Sequence, residues 1–594
     1  MRRTVQVAGP GPGPGPGPGP GPGPGPGPGP GPGPGPGSGS VEQEYEYEYE
    51  YEYVVVGGGT AGCVLAARLS ERPGVRVLLV EAGPAEPPEA AAVPRAWTDL
   101  IGSPCDWGDV AFDEATKRSS ILSRGKALGG STDMNGMVFI RGHRSGYDVW
   151  PGEGAAGWGF DDLLPFFKRC ENAAGRDAAV RGTGGPLTVR AAADRNPVTR
   201  ALLDAACEAG LPRAADPSSG LEEGIGLHDL SIERGRRLTS ADAYLTPAVR
   251  DRENLTIVTD SLVNRVLVED GRCVGVEYGG GFGGGFGGGH GARGRRPAAV
   301  RTALCTEEVI LAAGAVGTPH LLLRSGIGPE AHLRDTGVDP VLDLPGVGAN
   351  LHDHPLTGVA YEAARPVPRG ENNHAEVSGI VHDPGYDPGY TDHSGPGGAR
   401  RPALQFIMFS SARYLPPRFG PENGYTIAFS VMIPKSRGTV RLADPAPDSA
   451  PLVEPRYLSD PRDLDGMLTA LRIARKIGAA PALDPWRLRE AHPGPEVTDD
   501  GDLRDYIRDS YSPYWHAVGT SRIGTDAMAV VDPRLRVHGI AGLRVADASV
   551  MPSVPAANTM AAVYGIAERA AALIASGPQD RGRTPLDPTG RRPG

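Results

Sequence analysis

The sequence has little that would tie it to nucleic acid, a membrane span or a metal framework. Its formal net charge is −11 at neutral pH, which argues against nucleic acid as a partner. No run of eighteen apolar residues occurs, so no transmembrane segment is expected. Arg2-Arg3 open the chain, but no apolar stretch follows, so no signal peptide is expected. There are only six cysteines (Cys63, Cys105, Cys170, Cys207, Cys273 and Cys305), and no pair has CxxC spacing. A zinc or dithiol motif is therefore not expected, whereas buried, reduced thiols suit a cytoplasmic protein. Only five basic residues are Lys, the rest being Arg, which reads as GC-rich coding rather than function.

Hydrophobic residues make up 39% of the chain because 87 Gly and 60 Pro are inflated by repeats. Residues 9 to 37 alternate Gly and Pro, a tract that cannot pack a core and lacks the collagen period of three. Tyr then alternates with Glu from Tyr45 to Tyr53. Residues 1–51 are expected to be a disordered tail, and so are residues 578–594. A glycine-rich tract from Gly279 to Gly291 reads as an expanded hairpin loop between strands at Val274–Tyr278 and Val300–Cys305.

Between these tracts, α and β signals are mixed. An apolar strand at Tyr53–Val56, a helix near Ala61–Ser70 and a strand at Val75–Val80 make a βαβ start. The middle is rich in short strand-like runs, such as Leu404–Phe409 and Tyr425–Ile433. Asp463–Ile477 has helical spacing, and a final helix covers about Met560–Ile574.

The βαβ start carries Gly57-Gly58-Gly59-Thr60-Ala61-Gly62, a GxGxxG placed between strand and helix, with Glu81 at the end of the second strand. Each residue type has a reason. Gly57 permits the tight turn, Gly59 lets the backbone approach a pyrophosphate, and Gly62 lets helix and strand pack closely. The helix N-terminus offers free N–H groups to the pyrophosphate, and Glu81 can accept from a ribose hydroxyl. The motif indicates a dinucleotide without separating FAD from NAD.

Further segments narrow the reading. Gly125-Lys-Ala-Leu-Gly-Gly-Ser-Thr-Asp-Met-Asn-Gly-Met-Val138, with Asp148-Val-Trp150 behind it, resembles the first signature of the glucose–methanol–choline (GMC) oxidoreductases. The stretch Gly314 to Gly328 resembles the second signature, and Leu344 to His354 the segment after it. Near the end, His516 to Gly524, Val531 to Gly539 and Gly542 to Pro552 are similar too. The resemblance covers residues 52 to 575.

It implies FAD rather than NAD, and an α/β (α+β) fold with a Rossmann-like FAD-binding domain and a substrate domain on an antiparallel sheet with helices. The FAD domain would be discontinuous: residues 52–345, with the Gly-rich loop 279–296, and a return at 510–577, around a substrate-binding domain at 346–509. Asn135, Gly136, Met137 and Val138 would line the flavin side of the pocket, Val263 would meet the adenine through its backbone, and Asp547-Ala548 would approach the flavin and ribityl chain. Further cofactor contacts are implied for Thr60, Ala61, Ala82, Leu128, Gly129, Gly130, Gly314, Trp515, Asn558, Thr559 and Met560. Some members attach FAD to a His in the first signature. Met134 holds the matching position here and cannot form that bond, so non-covalent FAD is expected.

The family chemistry is oxidation of an alcohol by hydride transfer to flavin N5. His516 is the expected general base, since a neutral imidazole can take the hydroxyl proton. Asn558 would hydrogen-bond the developing alkoxide, although its place before the final helix also suits an N-cap. His352 and His354 bracket Asp353 but lack a third ligand cluster, so a structural role is expected. His320 is expected on a helix face. Ser521 and Ile523 replace residues common in relatives, without touching the base. Trp107, Tyr514 and Trp515 are either pocket or core. Oxygen or a quinone would reoxidise the flavin. A lyase or decarboxylase on the same scaffold is the alternative reading, and a non-catalytic binding protein a more distant one.

Overall fold

The computed structural model describes residues 51–577 apart from residues 115, 193–195, 281–299, 383–401 and 413–419. The Gly-Pro tail, most of the expanded glycine loop and the C-terminal tail lie outside the described residues.

The βαβ start forms as its apolar runs dictate. Strand β1 (Tyr51–Val56), helix α1 (Thr60–Leu69) and strand β2 (Val77–Val80) follow one another. Val54, Val55 and all of β2 are fully buried, as expected for central parallel strands covered on both faces. Strand β1 begins at Tyr51 rather than Tyr53, because Glu52 pairs with Arg76 at 3.1 Å and accepts its backbone N–H at 2.6 Å. The last Glu-Tyr repeat thus enters the sheet.

Strands β3 (Leu255–Val258), β4 (Ser261–Glu269), β5 (Arg272–Gly280) and β6 (Arg301–Leu311) complete this sheet, in the order β3-β2-β1-β6-β5-β4. The first four in that order pair in parallel; β5 and β4 add an antiparallel edge. The short strand Leu543–Val545 returns from the far end of the chain to pair in parallel with β6. Helix α2 (Gly314–Arg324) follows β6.

The second sheet is antiparallel. Its strands β7 (Pro355–Ala363), β8 (Val377–Val381), β9 (Leu404–Phe409) and β10 (Gly424–Val431) are joined by the edge strand Gly224–Leu227 beside β8. Helix α3 (Pro461–Gly478) buries Leu464, Met467, Leu468, Leu471 and Ile477 against it, as its spacing predicts, and Asp460 caps its start. Strand β11 (Arg487–His492) pairs with β7. The core of this sheet also takes Val198, Leu202 and Leu203 from the helix Pro197–Glu208. Residues well before 346 therefore contribute to it. Helix α4 (Met560–Ala575) returns to pack on α1 and belongs to the first core. No helix among the described residues is long and apolar enough to cross a membrane.

Candidate active site

The first glycine motif has the geometry its residues require. Gly57 has φ +97°, and a Cβ there would sit 2.7 Å from the Ala312 carbonyl oxygen. A Cβ at Gly62 would fall 1.8 Å from the Gly57 oxygen, so only glycine lets α1 start so close to the turn. Glu81 is buried; its two oxygens accept the N–H groups of Gly58 and Gly83, each at 2.7 Å. Burial pushes its carboxyl above the usual range, opposed by those two bonds.

The second glycine-rich loop docks directly on the first. Gly129 donates its N–H to the Gly58 oxygen at 2.8 Å. Gly130, at φ +58°, packs so near that a Cβ would lie 2.6 Å from Gly59 Cα.

One cavity of about 350 Å³ runs from these loops to the inner face of the second sheet. Gly57, Gly59, Thr60, Ala61, Glu81, Ala82, Gly130 and Val263 line it near the glycine turns. Gly314, Asp547 and Ala548 contribute from the loops after β6 and Leu543–Val545, and Asn135, Gly136 and Val138 from the second glycine loop. Trp515, His516, Asn558, Thr559 and Met560 line it too. Gly62, Leu128, Gly129 and Met137 do not line it. They lie behind the wall, where Leu128 would touch a Cβ at Gly58 and Met137 joins a separate apolar cluster. Asp547 spends its carboxylate on the chain itself, accepting from Gly314 N, Thr318 Oγ1, and Ser549 N and Oγ. Trp107, Tyr514, His320 and Met134 also line the cavity.

Several features fit FAD here. No side chain caps the start of α1, so its first N–H groups remain for an anion. Arg324 lies in the wall with no carboxylate partner among the described residues and an unbonded Nε, and burial pushes it down to about 10. Its Nη1 and Nη2 donate to the Pro447 and Val263 carbonyls at 2.8 and 3.1 Å, so it stands beside the backbone expected to meet the adenine. The glycine turns expose backbone where any Cβ would collide.

At the opposite end, Asn558 Nδ2 donates to His516 Nε2 at 3.1 Å, and Gln405 Nε2 donates to Asn558 Oδ1 at 3.3 Å. The N-cap alternative for Asn558 does not hold: Thr559 precedes α4, and the Asn558 side chain is spent on His516. Behind His516, its Nδ1 meets His354 Nδ1 at 2.9 Å. An Asn amide nitrogen can only donate, so His516 Nε2 carries the lone pair and its proton is on Nδ1. His354 Nδ1 then accepts, leaving its proton on Nε2. Burial, then His354, holds His516 well below the ordinary histidine range, so it is neutral at neutral pH.

Asp353 ties both histidines in place. Its Oδ1 accepts the backbone N–H of His354 and of His516, each at 2.8 Å, and Oδ2 accepts from the Tyr457 hydroxyl at 2.5 Å. Burial pushes its carboxyl up to about 6 against these bonds.

Matches to known proteins agree with this architecture. The GMC oxidoreductase family models match residues 51–356 with the N-terminal part and 434–567 with the C-terminal part. The chain belongs to the GMC oxidoreductase family. An alcohol dehydrogenase (acceptor) of Pseudomonas putida is 36% identical over 88% of this chain and 95% of its own length. A choline oxidase of Arthrobacter globiformis is 38% identical over 88% of this chain and 94% of its own. Pyridoxine 4-oxidase from Mesorbium loti has a TM-score of 0.80 and 35% identity over 89% of this chain and 100% of that one.

This GMC oxidoreductase is thus an FAD-dependent enzyme. These relatives are named as dehydrogenases and oxidases, and the lyase alternative finds no support. Four residues around the base were not anticipated as site residues from the sequence: His354, expected to be structural, Asp353, Gln405 and Tyr457. No spacing signal links His354 to His516, because 162 residues separate them. The His-Asp-His run was the only local hint. No group of three or more His, Cys, Asp or Glu suited to a metal occurs among the described residues.

Proposed function

We propose that this GMC oxidoreductase oxidises the CH–OH group of an alcohol to a carbonyl, with His516 as general base and Asn558 as hydrogen-bond donor to the developing alkoxide. FAD, when bound, supplies the hydride acceptor at N5. The chain does the rest. His516 Nε2 takes the hydroxyl proton once the substrate oxygen replaces the Asn558 amide as the partner of its lone pair. Asn558 is held in orientation by Gln405 and offers its second N–H to the substrate oxygen. The observation that carries the reading is the His354–His516–Asn558 chain of hydrogen bonds, which leaves the reactive nitrogen of His516 unprotonated at the cavity wall.

The FAD is held without a covalent bond through the first signature, because Met134 stands at the cavity wall there. Oxygen or a quinone takes the electrons from the reduced flavin. All six cysteines are free, and five are buried, which suits a cytoplasmic protein. Anaerobic mixing with a panel of alcohols tests the proposal. Bleaching of the oxidised flavin absorbance with at least one alcohol, and carbonyl product in equal amount, is expected. A flavin that stays oxidised with every alcohol sinks it. Acid-stable retention of flavin by the denatured chain would instead refute the non-covalent assignment.

A further inference from the structure

The catalytic end of the cavity is closed by one apolar cluster, of which Trp97, Leu356, Ala375, Ile407, Phe409 and Tyr514 line the cavity. Trp97 comes from the short helical turn Pro94–Leu100, and the others from β7 and β9, the loop before β8 and the segment before His516. Trp515 adds its ring edge-to-face with Trp97, centroids 6.3 Å apart and planes at 80°. Tyr514 packs on His516 itself, with ring centroids 4.1 Å apart.

The polar atoms of this wall are already spent within the protein. Trp97 Nε1 donates to the Asn373 carbonyl at 3.1 Å, and Trp515 Nε1 donates to the Ile121 carbonyl at 3.1 Å. The Asn373 side chain donates to Gly136 O at 2.5 Å and accepts from Ala375 N at 3.0 Å. Asn135 is likewise occupied, by Met560, Met137 and Arg237. What a ligand can engage sits at one point: the His516–Asn558 pair, whose mutual hydrogen bond it would displace, and the Tyr514 hydroxyl beside Asn558.

The acidic residues of the cavity are committed elsewhere. Glu81 is bonded to the first glycine turn, Asp109 is paired with Arg124, and Asp547 is taken by four donors around Gly314. Asp448 is exposed, next to Pro447, whose carbonyl accepts from Arg324. Among the described residues, no carboxylate faces the aromatic wall.

Resting on the alcohol-oxidising reading above, we propose that the substrate is an uncharged alcohol with a single hydroxyl, whose carbinol carbon carries an aromatic or branched hydrocarbon group. A buried, dry wall stabilises hydrocarbon by its area. A quaternary ammonium ion would be attracted by the aromatic faces, but no carboxylate among the described residues stands there to complete a cage and replace its counter-charge. A polyol would bury hydroxyls against a wall whose donors and acceptors are occupied.

The test compares choline with neohexyl alcohol, in which a carbon atom replaces the ammonium nitrogen. The two differ in charge and hardly in shape. Full-length holoenzyme is mixed anaerobically with each, with benzyl alcohol and with sorbitol, and the rate of flavin bleaching is followed against concentration. Neohexyl and benzyl alcohols are expected to be at least about tenfold more efficient than choline or sorbitol. Choline or sorbitol equalling the neutral, apolar alcohols overturns the inference and leaves the alcohol-oxidising reading standing. No bleaching by any alcohol, in enzyme whose flavin dithionite still reduces, overturns that reading and this inference together.

Discussion

His354 and His516 meet nitrogen to nitrogen, Nδ1 to Nδ1 at 2.9 Å, across 162 residues of chain. One of the two nitrogens must carry the proton, and the Asn558 amide on the far side of His516 decides which. His354 therefore acts on the base from behind, by holding its tautomer. His354→Ala is expected to lower kcat about 10- to 100-fold while flavin content is kept. His354→Gln, which retains an acceptor, should recover part of the loss. Stopped-flow flavin reduction checks both, and an unchanged rate in His354→Ala removes His354 from the mechanism.

His516→Ala removes the base itself. Flavin reduction should slow by about 10²- to 10⁴-fold with the flavin spectrum retained. The pH profile of the wild-type enzyme carries the same information. Burial and His354 lower the His516 pKa, so the neutral base persists as pH falls. The rate of flavin reduction should stay level as pH falls from neutral through 6.5, the ordinary histidine value, and decline only below it. A midpoint at or above that value would contradict the assignment.

Asn558→Ala takes the donor from the alkoxide side and frees Gln405 and His516. A drop of about 10²-fold in kcat is expected. Since Asn558 does not cap α4, helix content by circular dichroism should not change. A large loss of helix with little change in rate would restore the capping role.

Gly130 permits the two glycine loops to touch. A Cβ there would meet Gly59 Cα at 2.6 Å, and its φ of +58° adds strain for any other residue. Gly130→Ala should purify with much less flavin than the wild type, measured as the ratio of visible to ultraviolet absorbance. Gly184, where a Cβ meets nothing within 4 Å, serves as a control: Gly184→Ala should keep its flavin.

Asp353 has a carboxyl raised from 3.8 to about 6, chiefly by burial. A carboxyl raised in the folded state binds a proton on folding, so its contribution to stability falls as pH rises through that interval. The full difference is about 3 kcal/mol. Asp353→Asn removes this dependence. The wild type should lose stability relative to the variant as pH rises from 4 to 6, as read by denaturant midpoints. Parallel curves would show that Asp353 titrates normally.

The sequence by itself determined the dinucleotide half of this protein. Gly57, Gly59, Gly62 and Glu81 sit within one βαβ unit, and each does a local job that backbone sterics impose. Buried apolar runs marked β1, β2 and β9, and the helical spacing of Leu464 to Ile477 marked α3. His516 and Asn558 were legible only because their flanking motifs resemble a family. Tertiary structure alone decided what surrounds them. Asp353 and His354 reach His516 from a segment at least 162 residues away, Tyr457 supports Asp353 from a third, and Trp97 and Phe409, far apart in sequence, meet in one cluster that closes the cavity. Hydrogen-bond direction, tautomer and pKa depend on burial and on neighbours distant in the chain, and no local pattern encodes those.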